Sequence, residues 1–186
     1  MLNRIMTAMP RPRHPFRPAA GLQRGVFLIE ALLGILIFSL GILSLVAMQT
    51  AAVSAQSDAR YRIEAANLAD QIVSEIWLNV NRPNPSNAAT SQASVATFQH
   101  QPGGAIASCN FSGAVSASAL VTAWVNAVTG AGTGLPGATA AMQQIIVTPV
   151  ADSVGPAYSR VSVTVCWQAP IDAAPHRHSV VALISY

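Results

Sequence analysis

The chain has no lysine, and charged residues fill only 9% of its 186 positions, against about 25% in ordinary soluble domains. Its cations are ten arginines scattered along the chain. Phosphate neutralisation needs clustered cations, so direct nucleic-acid binding is not expected. The glycine-rich stretch 129–137 lacks both a lysine and a following helix, which excludes a phosphate loop. No internal repeat is visible. No Ser-His-Asp set or carboxylate pair stands out, so the chain does not read as an enzyme. His100, His176 and His178 raise a metal reading, because 176 and 178 would share one side of a strand. No carboxylate or third histidine adjoins them, so they are read as solvated loop histidines, with no metal or cofactor.

The charge that is present is unevenly placed. Arg4, Arg11, Arg13, Arg17 and Arg24 precede Val26 with no acid among them. From Val26 onward five arginines face seven acids, a balance of −2. The basic pI of about 9.4 is therefore a property of the first 25 residues. Those residues are rich in Pro and Arg and contain no apolar run.

An apolar run follows at once. Residues 31–48, ALLGILIFSLGILSLVAM, hold no charge, and Glu30 is the only charge in 26–53. A spanning helix needs about 20 apolar residues, and Gly and Ser are tolerated within one. Arginines before the run and near-balance after it (Asp58, Arg60, Arg62) place the N-terminus in the cytoplasm and the C-terminal body outside. A signal peptide cut among the small residues at 47–55 is one alternative. A plain single-pass anchor is another.

Glu30 decides among them. A carboxylate beside hydrocarbon is costly and is usually paired or functional. The helix dipole favours an acid at an N-terminus, but this does not account for the whole string Arg24-Gly25-Val26-Phe27-Leu28-Ile29-Glu30. That string resembles the prepilin processing motif of type IV pilins and type II secretion pseudopilins. The resemblance implies cleavage by a membrane prepilin peptidase after Gly25, N-methylation of Val26, and Glu30 as the fifth mature residue. The family often begins with Phe; here Val26 comes first and Phe27 second. A glycine without Cβ lets catalytic carboxylates approach an extended backbone closely. Glu30 would pair with the α-amine freed at Val26, on a neighbouring subunit as the family implies.

The remainder fits such a subunit. No Gly or Pro occurs in 51–80, and Tyr61, Ala65, Leu68, Ile72 and Ile76, with Ala69, Val73 and Trp77 beside them, form a helical stripe. One helix over about 27–80 is expected, ended by Pro83 and Pro85. Residues 81–117 read as a connecting loop, and 118–128 as a short helix stopped by Gly130, with Trp124 in the core. Strands are expected at 144–150, 158–167 and 179–186. The fold class is α+β, a long N-terminal helix packed on a small antiparallel sheet, as in the type IV pilin fold. The segments are a leader 1–25, a membrane or filament-core helix 26–53, its amphipathic continuation 54–80, and a head 81–186 with its strands in 141–186.

Cys109 and Cys166 both lie in the part expected to be exported, where an even count suggests a disulfide; two buried thiols are the alternative. The bridge would pin the long loop to the middle strand.

The helix, Trp124, Leu135-Pro136-Gly137 and the late strands together look like a PilV-type minor pilin. That implies a part in pilus assembly or initiation and in pilus-dependent motility or attachment. Implied partners are other major and minor pilins, the prepilin peptidase, the inner-membrane assembly machinery, and lipid before assembly. The implied route is the bacterial inner membrane, then the pilus. A type II secretion pseudopilin and a pilus-tip adhesin reading its target through 81–117 are the alternatives.

Overall fold

The computed structural model describes residues 24–83, 87–150 and 158–186. The chain divides into two compact units, Met1–Thr50 and Ala51–Tyr186. The expected leader lies outside the described residues, except for the backbone of Arg24 and Gly25.

Helix α1 (Arg24–Asn79) is 56 residues long. It starts a little before the expected position and ends where expected. In the first unit it is the one described element, and every residue in 26–50 is exposed. By length and composition it could cross a membrane.

The second unit is α+β. It holds the rest of α1, α2 (Ala88–Ala96), β1 (Gly103–Ala105), β2 (Asn110–Ser112), α3 (Ala119–Thr129), β3 (Gln143–Val150), β4 (Tyr158–Trp167) and β5 (His176–Ser185). Strands β3, β4 and β5 form an antiparallel sheet in that order. Val163 stands opposite Ile145 on one side and Val180 on the other.

The α1 stripe faces inward as its spacing predicts. Ala65, Leu68, Ala69, Ile72 and Ile76 are buried in one cluster with Val161, Val163, Val165 and Trp167 of β4. The flank is less complete than expected, since Trp77 stays 44% exposed. There the Arg82 guanidinium lies 4.5 Å above its ring. Trp124 of α3 is buried, and its indole N–H donates to the Leu68 carbonyl at 2.8 Å. That bond satisfies the polar atom that burial would otherwise strand.

Two sequence expectations need correction. The stretch 81–117 is not a plain loop: it contains α2 and a β1–β2 hairpin. In α2 the Asn87 side chain caps the helix by accepting from the Thr90 N–H, and Ser91 and Val95 are buried. The last strand begins at His176, three residues early, because the turn after Trp167 is short enough to pair Trp167 with His176. Gly130 caps α3 as expected, at φ −58. The chain then folds back through Leu135 N–H to the Val128 carbonyl at 2.9 Å. Further on, Gly137 sits at φ +62 with the Gln168 backbone where a Cβ would be, so only glycine fits that crossing.

Candidate functional site

The residues singled out by sequence fall into two groups, one in each unit. Gly25, Val26 and Glu30 belong to the first unit, and Cys109 and Cys166 to the second.

In the first unit, Val26 and Glu30 are four apart on α1, hence one turn apart on the same face. Val26 is 61% exposed, and Glu30 is exposed too. Glu30 is the only charge from Val26 to Ser57. The space where a Cβ would stand at Gly34 and Gly41 is open, with nothing within 4 Å. The polar side chains of this stretch largely satisfy themselves. Ser39 donates to the Ile35 carbonyl at 2.7 Å, Ser44 to Gly41 at 2.9 Å and Thr50 to Val46 at 3.1 Å. Such internal bonds suit a helix in lipid or among other apolar helices. Glu30 forms no hydrogen bond or ion pair among the described residues.

In the second unit, Cys109 and Cys166 are joined in a disulfide with Cα atoms 6.0 Å apart. Both are buried against Phe111. The bridge ties the β1–β2 hairpin to the end of β4. Gln144 helps, its amide donating to the carbonyls of Gln101 at 2.9 Å and Gly103 at 3.1 Å.

No family model, curated protein or solved structure matches this chain. Its chemistry is therefore read from its own residues.

The histidines differ from their expected solvated state. His100 is 3% exposed and bridges Ile145 of β3 through its backbone. Its Nδ1 accepts from the Ser116 N–H at 3.3 Å, which puts the ring proton on Nε2. Burial pushes its pKa below the ordinary 6.5, and the Ala140 carbonyl offsets part of that shift. That carbonyl accepts from the Gln101 side-chain amide at 3.2 Å, and among the described residues His100 Nε2 stays buried without a hydrogen-bond partner.

The sign of the pH effect follows. As pH falls, the unfolded chain binds the proton first, at about 6.5. The stability tied to neutral His100 is thus full above about pH 6.5 and is lost as pH drops toward the lowered native value. The slope is at most about 1.4 kcal/mol per pH unit. His100→Gln should make urea unfolding of the detergent-held chain less pH-dependent between pH 7.5 and 5.5. An unchanged difference between those pH values would show that His100 is not the group responsible.

His176 and His178 are half-buried on β5 rather than free in a loop. His176 stacks on Trp167 with ring centroids 5.7 Å apart. Its Nε2 lies 3.2 Å from Asp172 and 3.9 Å from Asp58. The sequence held a clue to this cluster, since Asp172 precedes His176 by four residues in the turn. Asp58 carried no such clue, because only packing brings α1 to that turn. Among the described residues, no group of three or more His, Cys, Asp or Glu is arranged to hold a metal.

Proposed function

We propose that the chain is a prepilin of the type IV pilin kind. It is cut between Gly25 and Val26, exports its head through a single-pass anchor, and enters a pilus as a minor subunit. The observation that carries this reading is Glu30: one carboxylate, four residues past Val26, in a stretch of α1 (26–50) that is otherwise uncharged and fully exposed. An acid so placed needs a cation once water is removed. Cleavage creates one, the α-amine of Val26, on the same helical face. A neighbouring subunit's amine then sets the axial register, which apolar packing alone fixes poorly.

The Gly25–Val26 bond lies in the first turn of α1, where backbone N–H groups have no partner within the helix. Opening that turn for a peptidase costs few hydrogen bonds. The implied partners are the prepilin peptidase, the inner-membrane assembly machinery and other pilins. A pseudopilin of type II secretion would use the same N-terminal residues, and deletion strains separate the two: lost piliation marks the pilus, lost protein export the secretion system.

Intact mass of the protein from its native host tests the processing step. The expected chain begins at Val26, with or without one methyl group. Gly25→Val should leave nearly all of it as a precursor still carrying the arginine-rich leader. A wild-type chain that retains the leader, or begins beyond Val46, sinks the proposal.

A further inference from the structure

We propose that His176 is a pH-operated latch that ties α1 to the turn between β4 and β5. Its Nε2 sits between two carboxylates from different elements, Asp172 Oδ2 at 3.2 Å in the turn and Asp58 Oδ1 at 3.9 Å on α1. Neutral imidazole offers this nitrogen one proton at most, and the two carboxylates then repel across it. The imidazolium cation attracts both.

The surroundings hold the three groups in place. Asp172 Oδ2 also accepts from the Ala169 N–H at 3.0 Å, and the Asp172 carbonyl accepts from the Gln168 amide at 2.9 Å. Asp58 Oδ2 accepts from the Arg62 Nε–H at 3.2 Å. The imidazole plane lies 25° from the indole plane of fully buried Trp167. A cation over an indole face is stabilised further.

The charged and titratable groups around His176 can be named element by element. Asp58, Arg62 and Tyr61 come from α1, and Asp172 from the turn. On β5 itself, His178 is on the same side and Arg177 on the other. Strand β4 presents the uncharged Trp167. The β1–β2 hairpin presents the bridged Cys109, whose sulfur is 3.8 Å from the His176 carbonyl and does not titrate.

Exposure suits a switch better than a static buried pair. The side chains of His176, Asp58 and Asp172 are 29%, 42% and 24% exposed, so protons reach them without unfolding. Position gives the latch its consequence. Residues 51–56 of α1 are all exposed, and Ser57 and Asp58 are the first to be half-buried. A cavity of about 30 Å³ separates Ser57, Asp58 and Tyr61 from Ala169, Ile171 and Asp172. Imidazole changes charge between about pH 5 and 8. Acid therefore closes this junction and mild alkali loosens it.

Amide hydrogen exchange on the full chain in detergent, corrected for intrinsic rates, tests the latch at pH 5.5 and 8.0. Protection of peptides covering 54–64 and 168–178 should fall about two- to fivefold at the higher pH, the scale of a partly exposed ion pair. The core of α3 should not change. His176→Gln should abolish the pH response in both peptides. Asp58→Asn keeps the ring and its stacking, and should abolish the response in 54–64 alone. The latch is overturned by pH-independent protection in the wild type, by a response that survives His176→Gln, or by a 54–64 response that survives Asp58→Asn.

Discussion

Glu30→Ala is expected to be processed normally and to remain in the membrane, yet to fall about a hundredfold or more in sheared filaments. The magnitude follows from the proposed pair with the Val26 amine. Removing one member of a buried ion pair costs about 3–5 kcal/mol, because the other charge is left uncompensated. In lipid the variant loses nothing comparable: the helix keeps its backbone bonds, and alanine is cheaper in hydrocarbon than a carboxylate. The defect should therefore appear at assembly, not at insertion or cleavage. Immunoblots of membrane and filament fractions, with intact mass to verify the N-terminus, read the two steps separately. Glu30→Gln distinguishes charge from shape, since it keeps size and hydrogen bonding and should also fail. Wild-type recovery of either variant in filaments would remove the register argument.

The second large effect concerns the head. The Cys109–Cys166 bridge closes a loop with a sequence separation of 57, for which chain entropy alone gives about 4 kcal/mol. The double variant Cys109→Ala with Cys166→Ala should lose about 2–5 kcal/mol. Its thermal midpoint should drop by about 10 °C, given about 2–4 °C per kcal/mol in domains near this size. The loss should be local first. Amides of β1 and β2 should exchange faster, because the hairpin then rests on Phe111 and on the two Gln144 hydrogen bonds. Circular dichroism melts of the full chain in detergent check this, and a midpoint within 2 °C of wild type would show the bridge to be ornamental.

Legibility followed the range of the forces involved. The long helix could be read because its evidence is local and repeated: an uncharged run, then a 3.6-residue stripe from Tyr61 to Ile76 with no helix breaker. Strand β4 was equally plain, with Val161, Val163 and Val165 alternating. The β1–β2 hairpin was not. Its strands, Gly-Gly-Ala and Asn-Phe-Ser, carry no β-branched residue, and three pairs cannot hold a hairpin unaided. The disulfide and Gln144 impose it from outside. Helix α2 was hidden in the same way, since AATSQASVA shows weak periodicity and gains its order from the Asn87 cap and the burial of Val95.

The candidate assembly residues were legible for the same reason as the helix. Gly25, Val26 and Glu30 lie within six positions, and their relation is fixed by helical geometry before any folding of the head. The histidines were misjudged because burial is not a local property. His100 is buried by a backbone bridge to Ile145, 45 positions later in the chain. His176 meets Asp58 across more than a hundred residues. Amino-acid order alone thus determined where the uncharged run of one long helix lies, that a lone acid opens it, and which three strands close the chain. Only the packed head decided which histidines are buried, which carboxylates face an imidazole, and what holds the hairpin. Those outcomes depend on contacts between distant segments, whose energies are set by burial and charge proximity rather than by sequence neighbours.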